Sequence, residues 1–216
     1  MLVLALDSAG SACSAALWRD GVVLARRFAV MTRGQSEALM PMVRDVLAEA
    51  GVAVDHVDLL AATVGPGAFT GIRIGLAAAR GLALAAGKPL AGIATTEAAA
   101  AAVPAGCHPG RDRLVVMDSR RDELWVQEFA GDLTPRGPIR ALTPCEAAAQ
   151  ATGPVVVAGD GAVLVLPLLA DGVAAPGDGH VDAVQVAALA ARHWPGGTLP
   201  PQPLYLRPAD VTMARA

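Results

Sequence analysis

The chain has 216 residues, of which 54% are hydrophobic and only 3% aromatic, with a formal net charge of -3 and a pI near 5.8. This excludes a disordered segment and calls for a core built from Ala, Val and Leu. It also argues against a stand-alone nucleic-acid binder, which would show a basic face with interleaved aromatics. RNA held jointly with a basic partner stays open. Cys13, Cys107 and Cys145 are odd in number, far apart and without a CxxC pair. They read as reduced thiols, not as a disulfide framework or zinc site. Residues 1–6 carry no positive leader and meet Asp7 too early for a signal peptide. No apolar run approaches bilayer length; the longest, 162–170, contains Pro167. A cytoplasmic protein with no membrane segment is expected.

Residues 2–6 form a short apolar strand ending at Asp7, and residues 8–11 a turn. Residues 12–17 return as a second strand. Asp20-Gly21 is a hairpin signal, and residues 22–28 supply the third strand. A helix follows to Ala50, with Ser36 as N-cap and Gly51 as its close. Its apolar residues, Leu39, Met40, Met42, Val43, Val46, Leu47 and Ala50, exceed one stripe of period 3.6. Such a helix has its own sheet to cover, and either a partner or a second internal neighbour. Two methionines suit an adaptable contact surface.

Residues 59–64 read as a buried strand that breaks into Gly65-Pro66-Gly67-Ala68-Phe69-Thr70-Gly71. An alanine-rich helix follows to Ala86, with Thr70 as cap and Gly87 as end. Strand, glycine turn and helix opening make a place where N–H groups can face an anion. A tight turn between packed elements explains the same residues. The loop lacks the Gly-Lys-Ser/Thr of a phosphate-binding P-loop and the downstream acid of a dinucleotide fingerprint. Next come a strand at 90–93 and an alanine helix capped by Thr95-Thr96-Glu97. The loop 104–112 is a boundary, dividing the chain into residues 1–104 and 105–216.

The second half opens like the first. A strand at 114–117 ends at Asp118-Ser119, 111 positions after Asp7-Ser8 (118 − 7), and a return strand spans 124–129. A third strand at 139–142 leads to the capping box Thr143-Pro144-Cys145-Glu146. Residues 155–158 and Gly159-Asp160-Gly161 repeat the strand and glycine turn before another helix. Both halves run meander, helix, strand, glycine turn, helix, which reads as an internal duplication of α/β type. The two sheets would face each other across a cleft receiving both Asp-bearing turns and both glycine loops. Asp182 caps a last helix ending near His193, and the proline-rich tail is expected to pack back on the first half.

His56, His108, His180 and His193 show no metal-ligand spacing, and no G-x-S-x-G elbow is present. Asp7 and Asp118 are the candidates for chemistry: carboxylates at such turns can hold magnesium against nucleotide phosphates. Each could instead cap its own turn, and Asp118 could pair with Arg120 or Arg121.

Several stretches resemble the TsaB (YeaZ) family. They are Leu4-Ala5-Leu6-Asp7-Ser8, Gln35-Ser36-Glu37-Ala38-Leu39-Met40-Pro41, the loop from Gly65 to Gly75, Met117-Asp118-Ser119-Arg120-Arg121-Asp122-Glu123, Gly159-Asp160-Gly161 and Pro203-Leu204-Tyr205-Leu206-Arg207. The resemblance implies the duplicated actin, sugar-kinase and Hsp70-ATPase (ASKHA) fold. It also implies a role in making threonylcarbamoyladenosine in tRNA. The expected partner is the catalytic relative TsaD, with the ATPase TsaE joining and tRNA reached only through the complex. The resemblance implies no catalytic residue, no metal ligand and no required cofactor. Family members often carry histidine where this chain has Gln35.

The family's pairing surface falls on the first helix, with Leu39, Met40, Met42, Val43, Val46 and Leu47, and on the glycine-loop helix, with Ile72, Leu76 and Arg80. Two helices from each partner would make a four-helix contact. The same surface could pair two copies as a homodimer. The competing reading is an active ATPase or small-molecule kinase, or weak nucleotide binding, with Asp7, Gly65, Gly67 and Asp118 at the phosphates.

Overall fold

A computed structural model describes residues 1–206. In chain order the strands are β1 (Leu2–Asp7), β2 (Ala12–Arg19), β3 (Val22–Val30), β4 (Leu59–Gly65), β5 (Leu90–Ala94), β6 (Asp112–Asp118), β7 (Leu124–Phe129), β8 (Arg140–Leu142), β9 (Val155–Ala158) and β10 (Gly172–Ala174). The helices are α1 (Gln35–Ala50), α2 (Phe69–Ala86), α3 (Thr95–Ala102), α4 (Pro144–Gln150), α5 (Ala162–Val165) and α6 (Ala183–His193). The first sheet has the order β3-β2-β1-β4-β5; the second, read from the equivalent edge, is β8-β7-β6-β9-β10. In each, an antiparallel meander joins a parallel pair through a helix. The duplication expected from element order is therefore present strand for strand.

Alternation along β1 shows how the layers arise. Leu2, Leu4 and Leu6 face α1 and α2, sharing a core with Leu39, Val43 and Val46. Val3 and Ala5 face the other way, into a central core with Ala91, Ile93, Val115, Phe129, Val156 and the apolar side of α6. A strand buried on both faces reads as an unbroken apolar run, as β1 and β4 do. Leu114, Val116 and Val157 give the second sheet its outer core under α4 and α5. The layers thus run from α1 and α2 through the first sheet, then α3 and α6, then the second sheet, to α4 and α5.

The hairpin at Asp20-Gly21 has positive φ at both residues, 48° and 94°. Gly51 and Gly87 close α1 and α2 in the left-handed region, at φ 63° and 65°. Thr143 and Glu146 form the reciprocal capping box, with Pro144 at the first helical position, and Asp182 caps α6 by accepting from Val184 N–H. Three other caps differ from expectation. The N-cap of α1 is Gly34, in the left-handed region, and the Ser36 hydroxyl donates to Glu37 instead. The N-cap of α2 is Ala68, so Thr70 lies one residue inside the helix. The N-cap of α3 is Ala94, and the Thr96 hydroxyl is drawn away to Gln127 Oε1 at 2.6 Å. At α1 and α3 the hydroxyl donates to a side-chain acceptor instead of capping the helix.

One helix, α2, meets a bilayer-length test that core helices of soluble proteins also meet. Its 18 residues are long and apolar enough by length and composition. The small residues Gly and Ala hide that apolarity in the sequence. One face of α2, carrying Ile72, Leu76 and Ala79, packs under β4 with Ala62 and Val64.

The extended segment after α6 returns to the first half, as the proline content suggested. Leu199 exchanges two backbone hydrogen bonds with Gly92 on β5, and Leu204 N–H donates to Val64 O at 2.8 Å. Of the tail motif ending at Arg207, that last residue lies outside the described residues.

Candidate functional site

β1 and β4 run parallel and end side by side, which brings Asp7 and Thr63 together. Thr63 Oγ1 donates to Asp7 Oδ1 at 2.6 Å, and Ala9 N–H donates to the same oxygen at 3.3 Å. Asp7 is 1% exposed, and its Oδ2 has no hydrogen-bond partner among the described residues. Burial is the main cause that pushes its carboxyl up to about 6, against the lowering effect of Thr63. Cys13 lies close by, and burial together with the Asp7 charge pushes its thiol up to about 11.

The glycine loop packs directly onto this turn. A Cβ on Gly67 would overlap the Ala9 carbonyl oxygen, and one on Gly71 would overlap that of Ser8. Ala68 N–H donates to Ala9 O at 2.7 Å, and Ser8 Oγ donates to Gly71 O at 2.9 Å. Gly65, with φ 115°, faces the returning tail: a Cβ there would sit 2.8 Å from Leu204 O. Two of these glycines thus admit the β1–β2 turn and the third admits the tail. Of the loop, Pro66, Gly67, Ala68 and Phe69 line the cleft; Gly65 and Asp7 are not among its lining residues.

The cleft holds about 700 Å³ between the β1–β2 turn, the β4–α2 loop and the β6–β7 turn. Asp118 lines it as expected, and it also caps its own turn: Arg120 N–H donates to Oδ1 at 2.7 Å, and Arg120 Nη1 lies 3.2 Å from Oδ2. Asp160, from the second glycine turn, accepts from Asp118 N–H at 2.9 Å and from Ser11 Oγ at 3.1 Å. His180 Nδ1 lies 3.3 Å from the same Ser11 hydroxyl. One carboxylate therefore pins the second hairpin turn and reaches across to the first half. Phe69, Trp125 and Tyr205 also line the cleft. Among the described residues no group of three His, Cys, Asp or Glu side chains is placed to hold a metal ion.

The residues expected on the pairing surface divide. Leu39, Val43, Val46, Ile72 and Leu76 are buried in the chain's own core, each at 2% exposure or less. Their assignment to a partner surface is corrected: they cover the first sheet. Met42 and Leu47 are half-buried on the same core. Met40 is 45% exposed. Arg80 is exposed and donates through Nε and Nη2 to Pro201 O. The exposed side of α2 includes Ala77, Gly81 and Leu84, the last 85% exposed.

Sequence reasoning sent both Asp-bearing turns and both glycine loops to the cleft without singling out Ser11, Phe69 or Asp160, and it missed Trp125 and Tyr205 there. Asp160 was visible as an acid inside a glycine turn that mirrors the first one. The aromatics were visible only as rarities in a chain with so few.

Comparison with known proteins places these features in a family. The model of the family described as TsaD, tRNA N6-adenosine threonylcarbamoyltransferase, matches residues 28–138. The tRNA threonylcarbamoyladenosine biosynthesis protein TsaB of Escherichia coli is 40% identical over 133 residues, 61% of this chain and 56% of that protein. The matched stretch therefore spans little more than half of that relative. The structure of YeaZ from Pseudomonas aeruginosa aligns with a TM-score of 0.83 at 32% identity, over 95% of this chain and 99% of that one. A polyphosphate/ATP-glucomannokinase from Arthrobacter aligns with a TM-score of 0.50 at 15% identity, over 88% and 98%, which speaks for the fold alone. The architecture is the duplicated ASKHA fold, and the chain belongs to the TsaB (YeaZ) family of tRNA threonylcarbamoyladenosine biosynthesis proteins.

Proposed function

We infer that this chain is a non-catalytic subunit that binds and stabilises a TsaD-type threonylcarbamoyltransferase through the outer faces of α1 and α2. The carrying observation is that these two helices lie side by side on one sheet and still present Met40 and Leu84 to solvent. The small residues Ala77 and Gly81 beside them permit close helix approach. The matching family model supports the same reading, because residues 28–138 include both helices. A relative of its own partner can meet it by equivalent surfaces, giving a four-helix contact of near-twofold symmetry. By the same logic two copies of this chain pair through that face when the partner is absent. A TsaE-like ATPase and tRNA would join through the assembled complex. The seclusion of Asp7 favours a supporting role over a chemical one.

The test is co-expression with a TsaD homologue followed by size exclusion. Met40→Glu combined with Leu84→Glu should abolish co-elution and leave the melting temperature near that of the parent. Undiminished co-elution of that double variant defeats this reading.

A further inference from the structure

The chain carries three Phe, one Tyr and three Trp, and its single Tyr, one Phe and one Trp converge on the cleft. Phe69 and Tyr205 stack with ring centroids 5.3 Å apart and planes 28° apart. Arg73 fixes the pair: its guanidinium carbon sits 3.6 Å from the Phe69 ring centroid, and its Nε donates to the Tyr205 hydroxyl at 2.9 Å. The two rings remain 42% and 43% exposed although they are locked in place. Trp125, anchored on the central core, lines the same space. Solvent-exposed rings held by a neighbouring cation keep little freedom to lose on binding a flat ligand. Arg120 and Arg121 line the cleft from the other half, and 63% of the Arg120 side chain is exposed even though it pairs with Asp118 at 3.2 Å and Asp160 at 3.8 Å. The space therefore offers flat aromatic faces at one end and guanidinium groups at another.

We propose that the Phe69–Tyr205 pair is a stacking floor for a nucleobase whose phosphate meets Arg120. Stacking on exposed aromatic rings with a nearby cation is how unpaired nucleotides are held without sequence readout. The site differs from the glycine loop, whose backbone is already occupied by the β1–β2 turn and the tail. The base can come from a free mononucleotide or from an unpaired position in RNA. The inference rests on the reading of a tRNA-modification subunit and adds to it one base-sized site that the chain holds by itself, whole tRNA being left to the assembled complex, so its test uses the chain alone.

Fluorescence anisotropy with a labelled RNA stem-loop, its blunt duplex, and competition by adenosine 5′-monophosphate reads the site. Phe69→Leu and Tyr205→Leu should each weaken stem-loop binding roughly 5- to 100-fold, with melting temperatures near the parent's. Stem-loop binding that adenosine 5′-monophosphate does not displace assigns the site to RNA; displacement with the same dependence on Phe69 extends it to the free nucleotide. Met40→Glu with Leu84→Glu should leave RNA binding unchanged, so a failed partner surface and a failed base site are told apart. Equal binding of stem-loop and duplex, insensitivity to both ring variants, or no binding by the parent overturns the proposal.

Discussion

Thr63 Oγ1 and Asp7 Oδ1 meet at 2.6 Å at the ends of two parallel strands, while Asp7 Oδ2 is buried with no partner. The carboxyl is held near 6, against 3.8 when unperturbed, chiefly because burial penalises its charge. The folded state therefore binds a proton more tightly than the unfolded chain. Stability from this group is intact below about pH 4 and declines as pH rises through 4–6, to a full cost of about 3 kcal/mol above that. Asp7→Asn keeps an acceptor for Thr63 and removes the charge. Urea unfolding at pH 7.5 should show it more stable than the parent by about 1–3 kcal/mol, with the difference vanishing near pH 4. A variant that is less stable at pH 7.5 would mean that Asp7 is charged and compensated by a group the fold supplies.

Glycines on α2 and its loop divide by what stands opposite them. Gly67→Ala and Gly71→Ala would drive a Cβ into the Ala9 and Ser8 carbonyls, which are backbone and cannot swing aside. Each should cost roughly 1–3 kcal/mol or more. Gly81 has open space and is exposed, so Gly81→Ala should gain about 0.5–1 kcal/mol from helix propensity. Thermal melts of the three variants check both signs at once.

Neighbouring residues on α1 should behave oppositely. Leu39 is buried against the first sheet and Met40 faces solvent. Leu39→Ala should cost about 2–5 kcal/mol, whereas Met40→Ala should stay within about 0.5 kcal/mol. Denaturant midpoints for the pair would show which face of α1 the fold itself consumes.

Asp160 is the carboxylate that ties the second hairpin turn to the first half. Asp160→Ala leaves Asp118 N–H and the Ser11 hydroxyl without that acceptor, a loss of about 1–3 kcal/mol. Amide hydrogen exchange at Asp118 should accelerate in the variant. Unchanged exchange would show that the contact contributes nothing to closing that turn.

Much of this architecture was legible in the chain before any coordinates. Local chemistry determined the hairpin at Asp20-Gly21, the capping box at Thr143 and the helix ends at Gly51 and Gly87, because turns and caps are satisfied by residues a few positions apart. The repeat of element order determined the duplicated fold, since matching meanders and crossovers leave few ways to pair the strands. Tertiary structure alone decided which side of α1 is free. Period 3.6 marks Leu39 and Met40 as equally apolar, and only the sheet beneath says which is covered. It also decided what the glycines are for: Gly65, Gly67 and Gly71 answer to backbone segments distant in sequence, and no local pattern carries that distance. The same holds for Phe69 and Tyr205, separated by most of the chain and joined by the returning tail.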